Sequence, residues 1–187
     1  MIDFFIKGGL LMWPILLCSV TAAAITIHKL LQYRSVRRAL SYTPQEIMIK
    51  KPAQLEPLVS ALAEGLDEEE IAVIGTRQIR NLEKGLGLLS LISVISPLLG
   101  LTGTVTGMIR AFQIIAAHGS QINPTLLAGG IWEALITTAA GLFVAIPAHL
   151  ACHLLEATLD DIALGMKELV TILHARAKRE MSSGVQK

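Results

Sequence analysis

The 187-residue chain has 52% hydrophobic residues, 4% aromatic residues and a mean hydropathy of +0.58. This composition is unlike that of a soluble domain of the same length and indicates a membrane protein. The formal net charge is only +1, and the charges cluster in a few segments. Because no basic face is available, nucleic-acid binding is not expected.

Three apolar segments reach the roughly 20 residues that a membrane-spanning helix needs, namely 8–27, 86–109 and 126 to about 155. Nine of the Lys and Arg residues lie in 29–84 and five lie in the tail from 156, which predicts an N-terminus outside and a cytoplasmic tail. The predicted fold is an all-α membrane protein with three transmembrane helices, the second and third extended into the cytoplasm. Its predicted parts are an N-terminal transmembrane helix (1–28), a cytoplasmic region with an amphipathic helix (29–85), a transmembrane hairpin (86–155) and a cytoplasmic helical tail (156–187).

The cytoplasmic parts carry their own helical patterns. Acidic residues at 67–70 precede apolar residues at helical intervals, which predicts a helix that runs straight into the second span. After the third span, a 4-3-4-3-4 spacing predicts a heptad seam that packs on neighbouring helices, formed by Leu155, Leu159, Ile162, Met166, Leu169 and Leu173. The proline-containing stretch 41–57 is predicted to be a broken, loop-like connection.

On helical wheels, both spans of the hairpin separate small residues from bulky apolar ones. In the second span the small face comprises Ser93, Ser96, Pro97, Gly100, Gly103, Thr104 and Gly107. In the third span the side of Glu133 gathers Gly129, Gly130, Thr137, Ala140, Val144, Pro147, Ala148 and Ala151. Gly103 and Gly107 form a GxxxG pair, whose simplest use is close helix packing. We expect the glycines and prolines of these faces to line the helix contact or a pore.

Glu133 is the single ionisable residue of the apolar run 127–148. A carboxylate at lipid depth costs about 2.5–3.5 kcal/mol, so the side chain has to face protein or water, bind a proton, or find donors. The run contains no basic residue, and Ser and Thr hydroxyls are therefore the expected donors. Glu133 is predicted to exchange a proton; the alternative is that it reaches the nearby interface. Arg110 and His118 could attract or relay protons, but solvation at the surface is the preferred interpretation.

The segments SPLLGLTGTVTGMIRAFQIIA (96–116) and NPTLLAGGIWEALITTAAGLFVAIPA (123–148) resemble the signature of the MotA/TolQ/ExbB proton-channel family. The resemblance implies a pentamer in the bacterial inner membrane around two copies of a single-span partner of the ExbD, TolR or MotB type. That partner carries an essential aspartate, and inward proton flow drives movement of the ring relative to it. The chain resembles the ExbB branch most, in which this movement energises a TonB-like transducer and transport across the outer membrane. The TolQ and gliding-motor branches stay open.

The resemblance assigns the proton pathway to Glu133, Thr104 and Thr138. The wheel places Thr137 about 40° and Thr138 about 140° from Glu133, so geometry favours Thr137 and directs Thr138 toward a neighbouring helix. Both threonines are kept as candidates.

Other functions find less support in the sequence. A possible metal cluster is formed by four residues at helical spacing, His149, Cys152, His153 and Glu156, but a position facing headgroups or a partner subunit is the preferred interpretation. No cofactor is predicted, and no hydrolase or nucleotide-binding motif indicates an enzyme. The rival hypotheses are a non-conducting membrane scaffold and a pore for a solute.

Overall fold

The computed structural model describes residues 9–50, 52–53, 55–118 and 124–184. These residues form six helices and no strand: α1 Met12–Leu40, α2 Pro44–Lys50, α3 Glu56–Ala63, α4 Glu68–Glu83, α5 Leu86–His118 and α6 Pro124–Gly184. Three stretches are long and apolar enough to cross a membrane, Met12–Leu40, Glu69–Ala116 and Ala128–Ile172. The predicted all-α fold with three apolar helices is therefore confirmed.

The chain divides into two compact units. The apolar unit comprises Gly85–His153 together with the chain through Thr26, and the polar unit comprises Ile27–Lys84 together with the chain from Leu154. Helices α1 and α6 contribute residues to both units.

In the apolar unit, α5 buries its small face and exposes its bulky face. Ser93, Ser96, Gly100, Gly103 and Gly107 are buried. Residues on the opposite side are about half exposed, including Leu91, Leu98, Val105 and Ile109. This is the arrangement expected where lipid is as apolar as leucine, because helices then associate through close contact of small residues.

In the polar unit, the heptad seam of α6 is buried within the chain. Its members Leu155, Leu159, Ile162, Met166 and Leu169 are at most 8% exposed, while the side chain of Leu173 lies outside the described residues. Ile71 of α4 is fully buried in the same unit, as are Leu55 and Leu58 in and beside α3. The prediction that the seam packs on neighbouring helices is confirmed.

The stretch 41–57, predicted to be a loop, contains helix α2 and the first two residues of α3, so that prediction was wrong for 44–50. Helix α2 begins with a capping box: the Thr43 amide and hydroxyl donate to Glu46 Oε2 at 3.0 and 2.9 Å, and the Glu46 amide donates to Thr43 Oγ1 at 3.4 Å. These hydrogen bonds from Thr43 hold the pKa of the Glu46 carboxyl below its usual range. Pro44 marks the first helical position, where a proline needs no N–H donor, and does not break the helix.

The amphipathic helix does not run straight into the second span, which corrects a second prediction. Helix α4 ends at Glu83, and α5 begins at Leu86. Between them Gly85 has φ +97°, a left-handed conformation that glycine adopts without a steric penalty and that ends the α-helical path.

The last turn of α4 is capped by two side chains from α1. Lys29 Nζ and the Tyr33 hydroxyl both donate to the Leu82 carbonyl, at 2.8 and 2.9 Å, and Lys29 also donates to Gln32 Oε1 at 3.0 Å. Lys29 is 5% exposed and Tyr33 is 1% exposed. Because the final carbonyls of a helix have no partner within the helix, this pair supplies donors that α4 lacks.

We expect the substitutions Lys29→Met and Tyr33→Phe to be non-additive. Each alone leaves the Leu82 carbonyl one donor, whereas the double variant leaves a buried carbonyl without either, at a cost of about 1–3 kcal/mol beyond the sum of the single effects. Thermal unfolding of the four proteins of this double-mutant cycle measures the difference. Strictly additive losses would show that the two donors act independently.

Candidate functional site

The backbones of α5 and α6 lie so close together that three positions of α5 have no room for a Cβ atom. A Cβ atom placed at Gly100 would lie 2.9 Å from Thr138 Cα and 3.0 Å from the Thr137 carbonyl oxygen. One placed at Gly107 would lie 2.8 Å from Ala134 Cβ, and one at Gly103 would overlap the Thr137 side chain. Glycine is therefore required at three successive turns of α5.

The same contact depends on a glycine of α6 that the wheel analysis did not select. A Cβ atom at Gly141 would lie 2.5 Å from the Ser96 carbonyl oxygen and 3.3 Å from Gly100 Cα. In the sequence, the indication that Gly141 belongs to this contact is its position four residues after Thr137, which puts both on one helix face.

The remaining residues assigned to the packing or pore face differ in their surroundings. Gly130 lies beside α5, where an added Cβ would be 3.4 Å from Ala111 Cβ, and Pro97 is half-buried. Gly129 has open space, with no described heavy atom within 4 Å of an added Cβ, and Pro147 is exposed. The structure thus brings the α5 glycines and Gly130 into the helix contact and leaves Gly129 and Pro147 outside it.

Glu133 lies at the edge of this contact. The buried residues of α6 in the apolar unit are Ala134, Ile136, Thr137, Gly141, Ala145, Ala148 and Cys152. Apart from Ile136, they centre about 80° from Glu133 on a helical wheel. The carboxylate therefore lies at the edge of the buried contact, although the wheel places Glu133 in the middle of the small-residue stripe, and its side chain is 29% exposed.

Glu133 has a basic partner on the other helix. Arg110 Nη1 of α5 donates to Glu133 Oε1 at 3.0 Å, with the two side chains 61% and 29% exposed. This ion pair corrects the prediction that hydroxyls are the donors for Glu133. Arg110 is exposed as predicted, and it also binds the carboxylate. The cation was missed because it lies outside the apolar run of α6, 23 positions earlier in the chain.

The three candidate threonines occupy different environments. Thr137 is 1% exposed, and its hydroxyl donates to the Ala134 carbonyl at 2.8 Å and the Glu133 carbonyl at 3.2 Å. Thr138 is half-buried and donates across the contact to the Gly100 carbonyl at 2.8 Å, so it does face the neighbouring helix as the wheel indicated. Thr104 is also half-buried and donates to the Leu101 carbonyl of its own helix at 2.7 Å.

Polar groups continue along the α5–α6 contact beyond the threonines. The Ser96 hydroxyl is completely buried and has no hydrogen-bond partner among the described residues. One turn earlier, Ser93 Oγ lies 3.5 Å from His149 Nδ1, and the His149 and His153 rings meet edge to face with centroids 4.7 Å apart. Within the described part of the chain, no three His, Cys, Asp or Glu side chains are grouped to hold a metal ion.

The fold and this site define a multi-pass helical membrane protein with an ionisable carboxylate at the edge of a tight two-helix contact. Residues 41–168, more than half of the chain, match the model of the MotA/TolQ/ExbB proton channel family. The chain belongs to this family.

Individual relatives agree with this assignment. The biopolymer transport protein exbB1 of Vibrio cholerae serotype O1 is 34% identical over 176 residues, which cover 81% of this chain and 77% of the relative. The biopolymer transport protein ExbB of Neisseria gonorrhoeae is 34% identical over 155 residues, covering 80% and 70%. The Tol-Pal system protein TolQ of Haemophilus influenzae is 39% identical over 105 residues, covering 54% and 46%. Together they support a role in biopolymer transport or proton conduction.

Proposed function

We propose that the chain is the proton-conducting subunit of an inner-membrane motor that couples the proton-motive force to TonB-dependent transport across the outer membrane. Five copies form a ring around the transmembrane helices of two ExbD-like single-span partners, with the N-terminus in the periplasm and the C-terminus in the cytoplasm. The observation that carries the proposal is Glu133, an intramembrane carboxylate that is 29% exposed at the edge of the α5–α6 contact. A group placed there is open to a partner helix.

The apolar surface of the protomer supports an assembly within a bilayer. Beside the bulky face of α5, α6 exposes a second set of large apolar side chains, Leu135, Phe143, Ile146 and Leu150, each at least 60% exposed. Apolar surface on both helices of the hairpin has to be covered by lipid, by neighbouring copies or by a partner.

The proposed proton path uses Glu133 as the group that binds and releases the proton. Thr104 and Thr138 line it through half-buried hydroxyls, and Thr137 is retained as the alternative to Thr138. Burial favours Thr138, because Thr137 is enclosed between the helices and offers no surface to water or to a partner.

Valine substitutions separate the two threonines. We expect Thr138→Val to lower proton flux more than Thr137→Val, and to reduce stability by about 0.5–1.5 kcal/mol because it removes the hydrogen bond to the Gly100 carbonyl. Thr137→Val removes bonds only to carbonyls of its own helix and is expected to leave stability closer to wild type. Flux into vesicles and thermal unfolding are measured on the same preparations; the reverse order of flux would assign the path to Thr137.

The proposal is tested by reconstitution with its partner. Tagged single-span proteins of the ExbD type and the TolR type are each co-expressed with the chain, and the purified complexes are placed in vesicles under a pH gradient and a membrane potential. We expect co-purification with the ExbD type and proton uptake that requires both proteins. A complex that forms but conducts no protons would favour a scaffold.

A TolQ-like role is the second candidate. It is favoured by the 39% identity to the Haemophilus influenzae TolQ over 105 residues. Selective co-purification with the TolR-type partner would establish it in place of the ExbB-like role.

A further inference from the structure

Three elements of the apolar unit meet at Glu133, two of them packing on the carboxylate that the third carries. The first is the backbone immediately before α1. Gly9 has φ +69°, and its carbonyl accepts a hydrogen bond from the Met12 amide at 3.2 Å, so the first turn of α1 fixes its position. A Cβ atom at Gly9 would overlap Glu133 Oε1 and would lie 3.1 Å from Glu133 Cδ. The backbone at Gly9 therefore packs directly against the carboxyl group.

The second element is α5, which supplies Arg110, and the third is α6, which carries Glu133 itself. Arg110 Nη1 lies 3.0 Å from Oε1, the same oxygen that a Cβ at Gly9 would overlap. A guanidinium carries five N–H donors and no acceptor, so it can only donate to that oxygen. We call Gly9, Arg110 and Glu133 together the Glu133 closure.

We propose that the Glu133 closure is the resting state of the site, in which Gly9 and Arg110 act as positioning residues that hold the carboxylate in the Arg110–Glu133 pair, and that proton uptake requires this pair to open. This inference rests on the proposed function. It adds the elements that hold the proton-binding group when the motor is idle, namely the start of α1 and a cation on α5.

The Arg110–Glu133 pair is exposed enough to separate repeatedly at little cost in stability. Arg110 is 61% exposed, and ion pairs of such exposed side chains contribute little to stability. The pair can therefore separate without unfolding the helix contact, which is held by the α5 glycines. Position 9 favours glycine for two reasons. A side chain there would be strained at φ +69°, and it would displace the carboxylate.

The closure is tested by the reactivity of Glu133 toward an apolar carbodiimide, which attacks protonated carboxyl groups. Wild type, Arg110→Gln and Gly9→Ala are labelled in vesicles, and the modified residue is identified by mass spectrometry, with Glu133→Gln as the unlabelled reference. We expect both variants to label Glu133 several-fold faster than wild type. In vesicles that contain the chain together with its single-span partner, we also expect both to leak protons faster.

Two matched controls accompany these variants. Gly87→Ala places a methyl group where no described atom lies within 4 Å, and Arg77→Gln removes an exposed guanidinium from α4. Both are expected to label and leak as wild type does. Arg110→Lys, which restores a cation, is expected to label more slowly than Arg110→Gln.

The outcomes separate this inference from the proposed function. Labelling of both variants at the wild-type rate would overturn the closure, even if the complex conducts protons. Faster labelling without a faster leak would also overturn it, because the pair would then not seal the site. The proposed function fails instead if the wild-type complex and Glu133→Gln conduct equally, a result that leaves the labelling comparison readable.

Discussion

Replacing Glu133 by glutamine is expected to abolish proton-driven transport while the complex stays assembled. Glutamine has nearly the same shape and keeps an oxygen that can accept the Arg110 hydrogen bond, but it cannot bind and release a proton. A positioned proton-transfer group typically contributes a factor of about 100 or more, and we expect proton flux to fall by at least that much. Flux into vesicles is measured beside co-purification with the single-span partner.

The matched control is Glu168→Gln, which neutralises an exposed carboxylate on the same helix. It is expected to conduct as wild type does. Full flux in Glu133→Gln would remove the central residue from the proposed pathway. Loss of the partner in that variant alone would instead assign Glu133 to assembly.

Replacing Gly141 by alanine is expected to weaken the α5–α6 contact. The added methyl group would lie 2.5 Å from the Ser96 carbonyl oxygen and 3.3 Å from Gly100 Cα. Both are backbone atoms that cannot rotate away, so the helices have to separate. Overpacking of this kind costs about 1–3 kcal/mol. For a chain of this size we expect the unfolding temperature to fall by several degrees, since 1 kcal/mol corresponds to about 2–4 °C.

Gly87→Ala is the control for this experiment, because it makes the same chemical change in α5 where an added Cβ has open space. Alanine is the better helix former by about 0.5–1 kcal/mol, so this variant is expected to be as stable as wild type or slightly more stable. Equal stability of Gly141→Ala and Gly87→Ala would show that the backbones of α5 and α6 are not in close contact.

The two substitutions test separate properties of the same helix pair. Glu133 lies at the edge of the α5–α6 contact, where a change of chemistry leaves the packing intact. Gly141 lies in the middle, where a change of volume disturbs the packing without touching an ionisable group. Proton flux and unfolding temperature should therefore respond in opposite patterns, with Glu133→Gln affecting mainly flux and Gly141→Ala mainly stability.

Periodicity in the sequence was sufficient to predict the structural features that depend on a single helix. The apolar run lengths predict the three long helices, because the thickness of a bilayer sets that length. The small face of α5 is readable from spacing alone, and the burial of Gly100, Gly103 and Gly107 follows from it. The heptad spacing from Leu155 likewise predicts which side of α6 is buried.

Features made by two segments distant in the chain were decided by the tertiary structure. The Arg110–Glu133 pair joins residues 23 positions apart, and a helical wheel of α6 carries no information about which residues of α5 reach its edge. A helical wheel likewise carries no information about the contact between Gly9 and the carboxylate. Glu133 was recognisable from sequence as an unusual group because burying a charge is costly wherever it lies. Its partner could be identified only once packing had fixed the rotation of one helix against the other.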